Sequence, residues 1–283
     1  MSTTTFDPKS TEQIKQLQQH LLDLGYYTSS IDGTIGPNAI NAINTVLLHQ
    51  GSSTQLSSKA KATDITSEIY TFILKIKEKR TDALYRIKQA EILALHNLIK
   101  NSSTILTEEQ QKKLFELLDL ILITDTAYDR NGSYREIGYN AFLDYLKNGA
   151  SLPEKELTFD CSSFATLYIE IIFGVKCERD KSSGYGPYTT PFYFNDTTNF
   201  EHSTPLEEIK ISTLKQGQLI LFDTDGIDHI VLYCGNGYIA HANASNDKVS
   251  IDKLSMDDDY TRKFLSKDVG YFNTAYILTP KIN

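Results

Sequence analysis

Cationic side chains are in deficit: 28 Lys and Arg stand against 36 Asp and Glu in 283 residues, for a formal net charge of -8 and an isoelectric point near 5.3. That sign is wrong for neutralising phosphates, so no nucleic acid is expected as partner. Glycine (15), proline (7) and cysteine (3) are scarce, which excludes collagen-like, low-complexity and disulfide-framework classes. Cys161, Cys177 and Cys234 are odd in number and show no CxxC spacing, so at least one thiol is expected to be free, after synthesis in a reducing compartment. No window offers the roughly 18 uninterrupted apolar residues of a spanning helix, and no membrane insertion is expected. The opening MSTTTFDPKSTEQIK has no basic segment followed by an apolar stretch, so no export signal is expected either. What remains, 40% hydrophobic and 23% charged, is a globular chain long enough for one large or two modest domains.

Three segments differ in texture. Residues 1–55 place Ile14, Leu17, Leu21, Leu22 and Leu24 at helical spacing, then Gly25, Tyr26-Tyr27, a turn-like Ile31-Asp32-Gly33-Thr34-Ile35-Gly36, and a second helix from Pro37 to about Gln50. This reads as a small helical hairpin. The Gly/Ser/Thr/Lys-rich run 51–64 reads as a linker. Residues 56–129 then read as linker and helical connector. A long helix is expected from Ser67 to Lys100, striped by Ile69, Ile73, Ile76, Ala83, Leu84, Ile87, Leu95 and Leu98, and a further helix follows Thr107-Glu108-Glu109-Gln110. Residues 130–283 form the third segment, with a helix beginning near Cys161, a Gly/Pro/Tyr-rich loop from Ser182 to Thr204, and β-like runs at 217–222, 229–234, 238–242 and 270–278. Helix first and antiparallel strands after is an α+β order.

Cys161 lies in Phe159-Asp160-Cys161-Ser162-Ser163, with Asp160 as candidate cap. A thiol in the first helical turn is favoured as thiolate, the form that attacks a carbonyl; a buried packing cysteine is the alternative. Downstream, Asp228-His229-Ile-Val-Leu-Tyr-Cys234-Gly235-Asn236-Gly237-Tyr238-Ile-Ala-His241-Ala242 reads as a hairpin bearing two histidines. A two-residue turn would send them to opposite faces of the sheet. A three-residue loop, Gly235-Asn236-Gly237, would put Val231 opposite His241 and both histidines on one face. His229 would then take the thiol proton while His241 holds its orientation. No HExxH is present and no carboxylate or thiol completes a ligand set at typical spacing, so no metal and no cofactor is expected. His20, His49, His96 and His202 read as structural or surface residues.

These residues resemble the NlpC/P60 cysteine peptidases. Asp160-Cys161-Ser162-Ser163 is similar to the family's Asp-Cys-Ser-Gly motif, with Ser163 for the usual Gly. His229 to Gly237, with His241-Ala242 following, is similar to the family's His-Val-Gly-Ile-Tyr-Leu-Gly-Asn-Gly and downstream His-Ala. Leu214 to Leu219 resembles the Leu-x-x-Gly-Asp-Leu strand, with Gln218 for Asp, and Tyr145 to Gly149 loosely echoes an upstream Tyr-x-x-Gly-Gly. The N-terminal run Ile14 to Tyr27 and Ile31 to Gly36 resembles a three-helix peptidoglycan-binding domain.

The resemblance implies a papain-like α+β catalytic domain with its nucleophile helix packed on an antiparallel sheet, after a wall-binding domain and a helical connector. It implies a peptidoglycan hydrolase cutting a stem-peptide amide through Cys161, His229 and His241, without a cofactor. Tyr145, Asp160, Ser162 and Ser163 become candidate substrate-binding residues, and Tyr26, Tyr27, Asp32, Gly33 and Gly36 candidate wall-binding ones. Other readings are an inactive wall-binding scaffold or a related acyltransferase. Without an export signal, the expectation is synthesis in a bacterial cytoplasm and action in the periplasm or wall after delivery or lysis. That fits a secreted antibacterial effector, with delivery machinery and an immunity protein as partners, or a phage endolysin.

Overall fold

The computed structural model describes residues 5–129, 135–153, 156–175, 189–224, 227–269 and 271–281. The chain divides into two compact units, residues 1–89 with 151–155 and residues 90–150 with 156–283. Among the described residues no helix is long and apolar enough to cross a membrane.

The first unit is built on α1 (Thr11–Asp23), α2 (Pro37–His49) and α3 (Ser67–Lys75). Ser10 and Thr66 cap α1 and α3 through their hydroxyls, and proline opens α2, where its missing N–H costs nothing. Leu17, Leu21, Ile43, Val46, Tyr70 and Ile73 close one core, so α3 completes what the sequence presents as a two-helix hairpin. The expected linker is packed rather than free: the Asn44 side chain accepts from the Leu56 amide at 2.7 Å and donates to its carbonyl at 2.8 Å.

The expected helix from Ser67 to Lys100 is broken. It stops at Lys75 because Ile76 turns extended (φ -70, ψ 128) to bury in the core, where its carbonyl meets His20 Nε2 at 3.0 Å. α4 (Arg80–Ile99) restarts with a new phase, so Ala83, Leu95 and Ile99 are buried while Ile87 and Leu98 of the predicted stripe stay exposed.

In the five residues proposed to touch wall, the structure finds mostly fold-making roles. Tyr26 and Tyr27 are core, 0% and 5% exposed. Asp32 builds the turn after them, accepting from Gln18 Nε2 (2.8 Å), Thr34 N (2.9 Å) and Thr34 Oγ1 (2.7 Å), bonds that hold its carboxyl down at about 2. Gly33 has φ +77, and a Cβ there would lie 2.4 Å from Thr11 Cγ2. At Gly36 nothing demands glycine.

The second unit begins with the rest of α4 and with α5 (Glu108–Ile123), which starts in the expected Thr107/Gln110 capping box. Next come β1 (Thr126–Tyr128), α6 (Arg135–Asn148), β2 (Leu157–Phe159), α7 (Cys161–Phe173) and α8 (Thr190–Asn195). β1 and β2 pair in parallel. Then follow β3 (Phe200–His202), β4 (Leu219–Asp223), β5 (Ile227–Gly235), β6 (Tyr238–Asn243), β7 (Lys248–Lys253) and β8 (Thr274–Pro280). They form one sheet in the order β3-β8-β4-β5-β6-β7, with every pairing antiparallel. Ile220, Phe222, Val231, Tyr233 and Ile239 share a core with Leu254, Phe264, Leu265 and Phe272. α7 is buried from Cys161 to Ile172, apolar almost all round, and packs on β5 and β6.

α6 approaches β2 closely enough that a Cβ at Gly138 would lie 2.2 Å from the ring of Phe159, itself wedged edge-on between Phe142 and Phe164. Gly138→Ala is expected to lower stability by about 1–3 kcal/mol through overpacking, read as a lower urea midpoint; an unchanged midpoint would show slack at the segment leading into Cys161.

Candidate active site

Asp160 leaves β2 in extended conformation (φ -104, ψ 174) and caps α7. Its Oδ1 accepts from the Ser163 amide at 2.6 Å and from Ser162 Oγ at 3.0 Å, and Ser163 Oγ accepts from the Asp160 amide at 3.0 Å. This capping box makes Cys161 the first helical residue, 6% exposed. Ser162 and Ser163, two candidate substrate-binding residues, are buried, and their hydroxyls, like the Asp160 carboxylate, serve the cap of α7. Tyr145 sits half-buried near the end of α6. Cys234 is fully buried, and desolvation pushes its thiol far above the ordinary range, as befits packing. Cys177, like residues 182–188 of the expected cleft loop, lies outside the described residues.

The histidine pair is set by a backbone irregularity. Leu232 faces Ala240 and Tyr233 faces Ile239, yet Gly235 faces Tyr238, so Cys234 is an extra residue, a β-bulge. The turn itself is two residues, Asn236 (φ 50) and Gly237 (φ 82), both left-handed as a type I′ turn requires. The expected three-residue loop is therefore replaced by a two-residue turn plus a bulge. Without Cys234 this turn would split the histidines between the faces; the bulge restores them to one face.

There His229 Nε2 lies 2.8 Å from His241 Nδ1, and His241 Nε2 lies 3.0 Å from Asp252 Oδ2, which also accepts from Ser250 Oγ at 2.6 Å. Burial pushes the Asp252 carboxyl up, but hydrogen bonds from His241 and Ser250 and the nearby Lys248 charge outweigh it and hold the group below its ordinary value. An ionised carboxylate only accepts, so His241 Nε2 carries the proton of that bond. Burial, aided by Lys263, lowers the His241 pKa against the pull of Asp252, so the ring is neutral and its Nδ1 is a lone pair. His229 Nε2 must then donate, which puts the lone pair of a neutral His229 on Nδ1. Phe264 packs on both imidazoles and Phe222 stacks on His229.

Asp252 and Ser250 escape a motif reading. They lie on β7, where Ser250 is the direct partner of His241 and Asp252 follows on the same face. The alternation Val249-Ser250-Ile251-Asp252 after the hairpin marks a strand with the two polar residues on one face, and only its register with β6 brings them to His241.

A cavity of about 580 Å³ opens beside His229. Tyr128, Thr190, Pro191, Asn243, Tyr260 and Lys263 are among its walls, and Cys161 is not. Thr190 and Pro191 belong to the described part of the expected cleft loop. Tyr128 pairs with Phe159, two residues before Cys161. Among the described residues no cluster of three His, Cys, Asp or Glu side chains is placed to hold a metal ion. His96, away from this site, pairs with Asp119 at 2.7 Å and stacks on Phe115.

A comparison with curated proteins returned no match. Solved structures similar to the chain include an NlpC/P60 family protein from Bacillus cereus, 18% identical over 42% of this chain and 31% of that one, TM-score 0.25. The peptidoglycan hydrolase RipB from Mycobacterium tuberculosis is 16% identical over 87% and 81% of the two chains, TM-score 0.25. A mutated form of the resuscitation-promoting-factor-interacting protein RipA is 16% identical over 46% and 64%, TM-score 0.22. The chain thus spans about a third of the length of the Bacillus cereus protein. The NlpC/P60 family matches residues 145–268, a span that holds Cys161, His229, His241 and Asp252: this part of the chain is an NlpC/P60 family domain.

Proposed function

We propose that the protein is a cell-wall hydrolase that cleaves a stem-peptide amide of peptidoglycan, with Cys161 as nucleophile, His229 as base and His241 as its positioning residue. The observation that carries this reading is the His229-His241-Asp252 chain, which leaves a lone pair on His229 Nδ1. The helix that Cys161 opens packs on β5 and β6, the strands of the two histidines. The family match over residues 145–268 supports peptidoglycan as the substrate.

In this mechanism the helix N-terminus favours negative charge on the Cys161 sulfur, whose proton passes to His229 Nδ1. Sulfur attacks the amide carbonyl, backbone amides of the first turn of α7 stabilise the oxyanion, and the C–N bond breaks as His229 returns its proton to the leaving amine. Water, deprotonated by the same imidazole, then cleaves the thioester and restores the thiol. Throughout, His229 Nε2–H stays bonded to His241, so the ring cannot flip its reactive nitrogen away.

Cys161→Ala is expected to abolish release of soluble fragments from purified sacculi while unfolding like wild type; normal release would overturn the reading. His241→Ala should be impaired less deeply, because it orients rather than reacts, and a loss equal to that of Cys161→Ala would assign it a direct chemical role. The neutral, buried His241 also has a stability signature. Its native pKa lies below the ordinary 6.5. As pH falls through that range the unfolded chain therefore takes up a proton that the native chain refuses, and stability falls with it. The urea midpoint should drop between about pH 7.5 and about pH 5, and the drop should shrink in His241→Asn. Equal drops in both proteins would show that His241 is not its source.

A further inference from the structure

We propose that Gln216 is a positioning residue for the reaction: it clamps the bulge at Cys234, and through the bulge it holds His241 on the face where His229 can use it. The catalytic consequence rests on the hydrolase reading; the clamp itself rests on geometry alone.

Two ladders compete for the histidine hairpin. In the observed one Tyr233 faces Ile239 and Gly235 faces Tyr238, with Cys234 left over. The same turn at Asn236-Gly237 also fits a regular ladder, in which Cys234 would face Ile239 and Leu232 would face His241. Side chains alternate along a strand, so His241 would then leave the face of His229. A regular ladder has no leftover residue. The bulge does, and the carbonyl of the fully buried Cys234 needs a donor that the ladder does not supply. That donor is Gln216 Nε2, at 2.7 Å.

Gln216 is fully buried, and each of its polar atoms has a partner. Its backbone N–H donates to the Ser103 carbonyl at 2.7 Å, and its carbonyl accepts from the Ile105 amide at 3.1 Å, so the segment between α4 and α5 fixes the backbone from both sides. Gln111 Nε2 donates to its Oε1 at 2.6 Å. That bond sets the side-chain amide in one orientation and leaves its two N–H groups for carbonyls, that of Cys234 and, at 3.3 Å, that of Ile99. The amide packs directly on the bulge: a Cβ at Gly235 would lie 3.2 Å from Gln216 Nε2. None of these bonds reaches a histidine, so Gln216 acts through the backbone of β5. Removing its donors leaves a buried carbonyl unpaired in the bulged ladder alone, which shifts the balance towards the regular one. The Leu-x-x-Gly-Asp-Leu pattern that Leu214 to Leu219 resembles leaves the place of Gln216 open.

The test compares wild type with Gln216→Met, which keeps the length of the side chain and removes its donors, and with Gln111→Met, which frees the Gln216 amide to turn. Each full-length, isotope-labelled protein is studied where circular dichroism shows it folded. In wild type, long-range proton–nitrogen correlation is expected to show His229 as one tautomer with its proton on Nε2, and cross-strand nuclear Overhauser contacts to join Tyr233 with Ile239. In Gln216→Met the contact is expected to move to Cys234 and Ile239 and the His229 tautomers to mix. On a soluble peptidoglycan fragment kcat should fall by about 10- to 100-fold with little change in KM. Gln111→Met should show the same changes to a smaller extent, and it carries the test if Gln216→Met does not fold. A loss of stability alone moves the urea midpoint and neither the tautomer nor the register of the folded molecules. Unchanged tautomer and register in the folded variants would overturn the proposal, whatever the rate does, and hydrolysis by wild type would still stand. Altered tautomer and register, with no hydrolysis by wild type, would retain the clamp and remove the hydrolase reading.

Discussion

One extra residue, Cys234, decides whether His229 and His241 meet on one face of the sheet. The side chains of a strand alternate, so the faces of His229 and His241 follow from the parity of the hairpin that joins them, and the two-residue turn at Asn236-Gly237 has the wrong parity. The bulge corrects it. A bulge has its own cost, because it takes a residue out of the ladder and leaves backbone groups unpaired. Here the debt is met by Gln216, fully buried, whose Nε2 donates to the Cys234 carbonyl at 2.7 Å. The bulged side chain is buried close to Tyr168 of α7, so the residue that sets the parity is also anchored from the helix that Cys161 opens.

Gln216 in turn is held by helices that precede the histidine hairpin by a hundred residues. Its Nε2 also reaches the Ile99 carbonyl at 3.3 Å, where α4 ends, and its Oε1 accepts from Gln111 of α5 at 2.6 Å. Asn236 at the hairpin tip donates to the Leu98 carbonyl at 2.9 Å. The end of α4 and the start of α5 are thus the brace of the hairpin rather than a spacer. The division of the chain into its two units accordingly falls within α4.

What was legible in the sequence, and what was not, follows the range of the interactions. β4, β5, β6 and β8 announce themselves through alternation, and the cap at Asp160 and the box at Thr107 through residues three apart, because the cause of each lies within a few positions. The break after Lys75 does not: no glycine or proline marks it, and Ile76 leaves the helix only because a core contributed by α1 and α2 is there to receive it. Tyr26 and Tyr27 mislead for the same reason, since a tyrosine pair suits a sugar platform or a core equally well until α3 covers it. Asp252 was missed because its meaning depends on the β6-β7 register, which no local pattern states. The parity of the histidine hairpin was legible as a requirement, while the device that meets it, a bulge clamped by a distant glutamine, was not.

Net charge is a poor guide to this site for a related reason. Residues 151–283 carry 12 basic against 19 acidic side chains, which argues against long-range attraction to an anionic polymer. Exposed charges act through water and salt and fade within about 8–10 Å. At the cavity the local inventory is opposite in sense, since Lys263 lines it while the Asp252 carboxylate is occupied by His241 and Ser250. An acidic surface and a cleft with a cationic wall are compatible because the first acts over the screened distance and the second only on a group already desolvated beside it.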